Sequence, residues 1–240
     1  MSSNLSLNTG IGGKYAGIKN YLFLKGDTNA AGFVFDTINA DSKFNAVKLF
    51  GHANLTSKKD RLVVNTGVRL DYFDYIRLKT YFSPRIGASY KITPVTSLNA
   101  AAGIYYQSPE YIWLSSHPDN KNLNSIRSDH YILGLDHFFS GDLKATVELF
   151  YKNYKDYPVW KDIPTYILID GGTEFGPNIV GEAVSAGTGY VKGIDVSLQK
   201  NFLLRKDFTA LLITHTLTQG LQLLQEGKSR GLLIRDISLL

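Results

Sequence analysis

The side chains that most often carry out chemistry are scattered along this 240-residue chain. It contains no Cys, which excludes a thiolate nucleophile and a cysteine metal site. The five His form no HExxH or other ligand spacing, and no Asp or Glu spacing identifies an acid–base pair. The segment Gly10–Gly13 lies in a β pattern with no helix after it, unlike a phosphate-binding loop. We therefore expect no enzymatic activity, no metal and no cofactor.

Aromatic side chains in two long connections between predicted strands are better candidates for ligand contact. The alternative for each of them is that the ring only packs against its own loop or strand end. The candidates are Tyr111, Trp113 and His117 in the first connection and Tyr157, Trp160 and Tyr166 in the second.

Composition and charge exclude several classes of protein. The net charge is +5, from 26 Lys and Arg against 21 Asp and Glu, and the basic residues cluster only at Lys58–Arg61, so nucleic acid is not an expected partner. An apolar content of 44% excludes intrinsic disorder. No run reaches the roughly 18 apolar residues of a spanning helix. Abundant Tyr, Phe and Gly are typical of β structure with many turns.

Apolar and polar residues alternate with a period of two over most of the chain. From 61 to 72, one face carries Leu62, Val64, Thr66, Val68, Leu70 and Tyr72, and the other carries Val63, Asn65, Gly67, Arg69 and Asp71. The same pattern recurs at 81–92, 97–107, 143–152 and 191–200. Further strands are expected at 43–56 and 129–139, and the 4–24 stretch is one long strand or two short ones. An all-β fold follows.

The alternation fits both a soluble β-sandwich and a transmembrane β-barrel, but the connections favour the barrel. Short turns at 57–60, 93–95 and 140–142 alternate with long connections at 25–42, 75–80, 108–128 and 158–188. Most strands run about 10 residues, which matches a tilted strand crossing a bilayer, whereas strands of globular proteins average about 5–6. We predict an antiparallel up-and-down barrel segment with short periplasmic turns and long extracellular loops.

Aromatic residues concentrate at the ends of the predicted strands, as in the two girdles of a membrane barrel. The alternative is the general preference of aromatic residues for strands. The loop-side set includes Tyr72, Phe73, Tyr75, Tyr81, Phe82, Tyr105, Tyr106, Tyr111, Trp113, Tyr131, Tyr151, Tyr154, Tyr157, Trp160 and Tyr190; the turn-side set is Tyr90, Phe138, Phe139 and Phe202.

Six segments, in order, resemble the β-barrel of TonB-dependent outer-membrane receptors, in its C-terminal portion and closest to the receptors of Bacteroidota. They are Leu49–Gly51, Asn65–Phe73, Phe82–Tyr90, Gly103–Pro109, Glu148–Tyr154 and Gly189–Lys200. The resemblance covers about residues 4–202. It implies a barrel of about 22 strands, of which this sequence offers about nine or ten.

The resemblance also implies function and partners. Such receptors take up scarce nutrients, such as siderophores, haem, cobalamin or glycans, using an N-terminal plug domain and energy from TonB, in contact with outer-membrane lipid. Arg69 and Arg85 are expected to face the lumen and the plug. The sequence shows no signal peptide, TonB box or plug, so we expect a fragment of an outer-membrane receptor that is unable to transport alone.

The last part of the chain departs from the pattern. After Leu203 the alternation fails, and no Tyr or Trp follows Tyr190. We therefore divide the chain into a partial barrel at 1–202 and a divergent tail at 203–240 that is translated out of frame. The alternative is a genuine strand followed by a short amphipathic helix.

Two other interpretations remain open at this stage. One is a small complete outer-membrane barrel of 8–10 strands, similar to a porin. The other is a soluble β-sandwich that acts as a binding module.

Overall fold

The computed structural model describes residues 4–28, 34–35, 38–140, 143–162, 181–201, 209–225 and 228–232. Antiparallel strands account for most of them. The strands are β1 (Asn4–Leu24), β2 (Asp27–Thr28), β3 (Val34–Phe35), β4 (Ile38–Lys59), β5 (Leu62–Phe73), β6 (Thr80–Lys91), β7 (Thr96–Gln107), β8 (Ile126–Ser140), β9 (Leu143–Trp160), β10 (Ala183–Asn201), β11 (Thr209–Gln225) and β12 (Lys228–Leu232). Helix α1 (Tyr111–Ser116) and a 3-10 helix (Pro118–Asn122) lie between β7 and β8.

Ten of these strands form one up-and-down sheet. Its order is β1-β4-β5-β6-β7-β8-β9-β10-β11-β12, and β2 with β3 forms a separate small hairpin. Every neighbouring pair is antiparallel. Among the described residues β1 and β12 do not pair with each other, so the sheet is an open barrel segment. The predicted fold class is confirmed.

The 4–24 stretch is one strand, not two. β1 pairs with β4 without interruption from Asn4↔Lys58 to Leu24↔Ile38. β9 and β10 are also longer than the apolar alternation predicted. β9 continues to Trp160, and β10 begins at Ala183. Their added parts pair with each other, with register shifts at Gly187.

Tight reversals and long connections lie at opposite ends of the sheet, which we call the turn end and the loop end. At the turn end β4 and β5 are joined by Asp60 and Arg61, and Asp60 has a φ of 49°. Asp is among the residues that tolerate this left-handed conformation. The predicted turn at 140–142 lies mostly outside the described residues. At the loop end, α1 and the 3-10 helix occupy the β7–β8 connection.

The two faces of the sheet differ in polarity as the alternation predicted. On β5 the outer face carries Val68, Leu70 and Tyr72, all exposed, while Arg69 and Asp71 lie on the inner face. Among the described residues nothing packs over the outer apolar face. None of the helices in this part of the chain is long and apolar enough to cross a membrane.

The hydrophobic core lies at the loop end, not between two sheets. Its buried members are Ala46, Phe73, Ile76, Tyr81, Leu114, Leu123 and Ala183, and Phe44, Tyr75, Tyr106, Tyr111 and Trp113 pack against them. We call this set the loop-end core.

The aromatic residues predicted to form one loop-side girdle divide into two groups. Tyr72 is 37% exposed on the outer face, whereas its neighbour Phe73 is 3% exposed in the loop-end core. Phe82 and Tyr81 divide in the same way. The reason is the period of two, which sends consecutive rings to opposite faces of a strand.

Adjacent alanines on β7 test the assignment of the faces. Ala100 and Ala101 are both exposed in the absence of lipid or detergent. Ala100 lies on the outer face beside Leu133, and Ala101 lies on the inner face. Because the chain has no Cys, each single Cys variant carries one thiol. In detergent micelles we expect Ala101→Cys to react with a charged maleimide and Ala100→Cys to resist it, since detergent covers the outer face.

The matched control is the same pair of variants unfolded in urea, where both thiols should react at one rate. Equal protection of the two thiols in micelles, or faster labelling of Ala100→Cys, would contradict the assignment.

Candidate ligand-binding site at the loop end

Asn120 holds the long connections together at the loop end. Its side chain is fully buried, and its amide nitrogen donates to the Trp113 carbonyl (2.7 Å), Ser116 Oγ (3.0 Å) and the Gly181 carbonyl (3.1 Å). Its Oδ1 accepts the backbone N–H of Ala183 at 2.8 Å. One amide therefore joins α1, the 3-10 helix and the start of β10.

Two further hydrogen bonds join this region to the β5–β6 connection and to the start of β6. The backbone N–H of Ser125 donates to the Tyr81 hydroxyl, and that of Arg77 donates to the Lys121 carbonyl, both at 2.8 Å. With the loop-end core beneath them, these bonds fix three connections that are far apart in sequence as one body.

Tyr111 and Trp113 are brought together in this body. The Tyr111 ring meets Phe73 edge-on with 6.2 Å between ring centres, and Lys48 Nζ lies 4.4 Å from the Tyr111 ring centre. The Tyr111 hydroxyl is buried and has no hydrogen-bond partner among the described residues. Burial, followed by the charges of Asp74 and Glu110, raises the pKa of this phenol.

The other predicted contact residues that the structure describes have different partners. His117 Nδ1 accepts the Asp119 N–H at 3.2 Å, which caps the 3-10 helix. Tyr157 packs beside Tyr154 with 5.6 Å between ring centres. The Trp160 ring lies so close to Gly181 that an added Cβ there would be 2.6 Å from Trp160 Nε1.

Tyr166 lies outside the described residues. A role in ligand contact for all six residues stays a prediction.

The two lumen arginines lie on the inner face in different surroundings. Arg69 forms a bidentate ion pair with Asp71, at 2.7–3.0 Å, and its guanidinium carbon is 4.1 Å from the Phe50 ring centre. Arg85 lies beside Gly67 and Gly103, where added Cβ atoms would fall 2.8 Å and 3.1 Å from its side chain. The described residues give Arg85 no ion pair, and its buried Nε has no hydrogen-bond partner.

A cavity of about 520 Å³ lies on the inner face near the loop end. Its walls come from β1, β4 and β5, from the loop-end residues of β6 and β7, and from both ends of the β7–β8 connection. They include Gly13, Lys14, Lys48, Leu49, Phe50, Arg69, Asp71, Tyr72, Phe73, Tyr81, Tyr106, Gln107, Ser108 and Ser125. We call this the basic cavity.

Sequence reasoning missed the main residues of this region. Lys14 and Lys48 are direct partners in the β1–β4 register, and that register is not readable from either segment alone. Asn120 carries no motif. Three or more His, Asp or Glu side chains placed to bind a metal are not found among the described residues.

The fold and this loop-end site define a class, the outer-membrane type of β-barrel with polar lumen and long loops on one side. Residues 2–227 match the family model of the TonB dependent receptor-like β-barrel, so the chain belongs to that family. The match continues past residue 202 and includes β11, which pairs with β10 from Asn201↔Thr209 to Gly187↔Leu223. The division at 202 and the out-of-frame tail stay predictions.

Solved receptors show the same architecture. The FrpB iron transporter from Neisseria meningitidis (F3-3 variant) is similar with a TM-score of 0.61 and 16% identity, over 90% of this chain and 33% of that one. The ferric enterobactin receptor PfeA from Pseudomonas aeruginosa gives 0.61 and 15%, over 92% and 37%. The ferric-catecholate import receptor Fiu from Escherichia coli K12 gives 0.55 and 12%, over 95% and 41%.

These identities establish the fold alone. The chain spans about a third to two fifths of the length of these receptors. None of the curated proteins matches it.

Replacing Asn120 should loosen the loop end. Asn120→Ala leaves the Trp113 and Gly181 carbonyls and the Ala183 N–H without their buried partner, and each such group costs about 1–3 kcal/mol. We expect amide hydrogen exchange in this body to accelerate by at least about tenfold, corresponding to about 1.4 kcal/mol, while the membrane strands stay protected.

Asn122→Ala is the matched control, because Asn122 is exposed at the end of the same 3-10 helix and should shift stability by less than about 0.5 kcal/mol. Identical exchange in the two variants would show that Asn120 does not hold the connections together.

Alkaline pH should also weaken the loop end. Tyr157 lies beyond the apolar band of β9, and burial, followed by the charge of Tyr154, raises its pKa to about 12. The unfolded phenol titrates near pH 10, so from about pH 10 to 12 the folded state binds more protons. The free energy of unfolding therefore falls as pH rises through this window.

Ultraviolet absorbance of tyrosinate, measured with and without Tyr157→Phe, checks this. The substitution should remove the highest-pH step and flatten the fall in stability, whereas Tyr90→Phe at the exposed turn end should leave both unchanged. Loss of a step near pH 10 on replacing Tyr157 would contradict it.

Proposed function

We propose that the chain is part of the barrel wall of an outer-membrane receptor that imports a scarce nutrient with energy from TonB. The observation that carries this proposal is the open ten-stranded meander, apolar outside and polar inside, with a structured loop end. Membership of the family supports it. Of the nutrients such receptors import, an iron chelate is favoured, because the similar structures are an iron transporter, a ferric enterobactin receptor and a ferric-catecholate receptor.

The chain by itself is not expected to transport. The free edges of β1 and β12 would present unpaired N–H and C=O groups, which the hydrocarbon region of a bilayer does not tolerate. In the proposed receptor the remaining strands pair with both edges and close the barrel.

A plug domain is the proposed partner inside the lumen, and the two arginines differ in what they offer it. Asp71 already neutralises Arg69. Arg85 lies on the inner face and forms no ion pair with a carboxylate among the described residues. Arg85 is therefore the arginine that could donate hydrogen bonds to an acidic group of the plug. A contact between Arg69 and the plug would require Arg69 to break its hydrogen bonds to Asp71.

Tyr111 and Trp113 are the best supported of the proposed ligand contacts at the mouth. Both pack against the loop-end core and belong to the body that Asn120 holds together. A soluble sandwich would need a second layer over Leu133 and its neighbours, and the described residues provide none.

Expression with a secretion signal in Escherichia coli tests the proposal. The chain alone should accumulate as insoluble aggregate, because its edges cannot both pair in a membrane. A complete receptor of the same family, such as FrpB, expressed identically, should give a membrane-integrated band whose mobility changes on heating. A monodisperse, membrane-integrated, heat-modifiable band from the chain alone would overturn the fragment proposal and support a small complete barrel.

A further inference from the structure

Four basic side chains gather at the turn end, on the opposite side of the sheet from the loop-end site. Lys58, Lys59 and Arg61 surround the reversal between β4 and β5. The backbone N–H of Lys91 donates to the Arg61 carbonyl at 2.9 Å, which brings the end of β6 beside that reversal. We call these four residues the basic rim. All four are exposed, and with the carboxylate of Asp60 in the same turn the net charge is +3.

The charge of the basic rim is not compensated within the described part of the chain. None of its four cations forms an ion pair there. The β8–β9 turn is different: Lys144 Nζ lies 3.2 Å from Asp136 Oδ1, and Asp136 also accepts hydrogen bonds from Asn99 and Thr146. Positive charge at the turn end is therefore concentrated in the basic rim.

Lys59 lies on the outer face, in one row with apolar side chains. Its register partner is Leu62, which is followed across the sheet by Tyr90 and then Leu98. Residues directly opposite each other on antiparallel strands share a face, and these three apolar side chains are exposed on the outer one. A lysine in this position packs its stem on apolar surface and extends its ammonium group toward the polar layer.

The depth of the basic rim matches the headgroup layer of a bilayer. Arg61 precedes Leu62 by one residue and Lys91 follows Tyr90 by one, so their Cα atoms lie about 3.4 Å beyond the apolar row along the strands. The headgroup layer is about 5–7 Å deep on each side of the hydrocarbon. Lys58 and Lys91 belong to the inner face by register, but their charges act at the same edge of the sheet.

We propose that the basic rim binds the headgroup of an anionic phospholipid in the leaflet at the turn end. Lys59 and Arg61 donate hydrogen bonds to its phosphate, Lys58 and Lys91 add attraction, and its acyl chains lie on the apolar row that begins at Leu62. An acidic water-soluble protein is a poorer fit, because Lys59 shares its face with side chains that such a partner would leave uncovered. The inference goes beyond the proposed function, since it does not depend on any imported ligand.

Quenching by brominated lipids tests the preference for an anionic headgroup. The chain has no Cys, so Val95→Cys in the exposed β6–β7 turn carries a single bimane fluorophore beside the basic rim. In mixed detergent micelles, brominated phosphatidylglycerol, which is anionic, is compared with brominated phosphatidylcholine, which is zwitterionic. We expect phosphatidylglycerol to be preferred by at least about threefold, because each basic side chain at a membrane surface attracts anionic lipid.

Matched pairs of substitutions separate the charge of the basic rim from the overall charge of the chain. Lys59→Gln with Arg61→Gln should abolish the preference, whereas Lys59→Arg with Arg61→Lys should keep it. The control is Arg77→Gln with Lys121→Gln, which removes the same two residue types from exposed positions at the loop end and should leave the preference unchanged. Equal quenching by the two lipids, or equal effects of the two pairs of Gln substitutions, would overturn the proposal.

Competition identifies the source of the bound anion. An excess of inorganic phosphate or of polyglutamate, at constant ionic strength, should leave the quenching by phosphatidylglycerol unchanged. Displacement by phosphate would indicate a site for a free anion, displacement by polyglutamate would indicate a site for an acidic protein, and either result would overturn the proposal.

The same substitutions in the longest open reading frame that encodes the chain, inserted into vesicles of the two lipids, give a readout that does not depend on refolding the segment. The preference for phosphatidylglycerol should again require Lys59 and Arg61. A preference that survives the Lys59→Gln and Arg61→Gln pair in these vesicles would overturn the proposal.

Discussion

Backbone pairing between neighbouring antiparallel strands is the interaction on which the rest of this structure depends. Within the sheet the ten strands follow one another in chain order, with the separate β2–β3 hairpin inserted between β1 and β4, so the register of one hairpin sets the position of the next. The register then decides which side chains lie opposite each other, as with Lys14 and Lys48. It also leaves the two edge strands as the weakest part of the segment in a membrane, where water cannot satisfy an unpaired N–H or C=O group.

Among the described residues, the hydrophobic core lies at the loop end, beyond the strand segments whose faces alternate. At the loop end the connections supply Ile76, Leu114 and Leu123, which are almost completely buried. Such a core can form because removing apolar side chains from water is favourable. Asn120 fixes how the connections pack on this core. Its side-chain amide forms hydrogen bonds with the backbone of α1 and with the backbone at the start of β10. The result is a packed layer at the loop end of the sheet.

The inner face carries its charge in three different ways. Arg69 is neutralised by Asp71 next but one along the same strand. Arg85 lies beside glycines and keeps its charge, and Lys48 is held by rings and keeps its charge too. Two of these three cations therefore form no ion pair among the described residues.

The fold class was readable from the sequence because a strand exposes its neighbours in turn, so the alternation around Val68 and Arg69 directly reports the two faces. Long connections and short turns alternated visibly because successive antiparallel strands reverse at opposite ends of the sheet. Neither the joining of Tyr111 and Trp113 to Ala183 nor the meeting of Lys14 with Lys48 was readable, because both depend on register and loop packing between distant segments. Sequence by itself determined the strands, their faces and the family resemblance; only the tertiary structure decided which of these residues share a cavity, since contacts across strands are set by pairing and burial that no local pattern encodes.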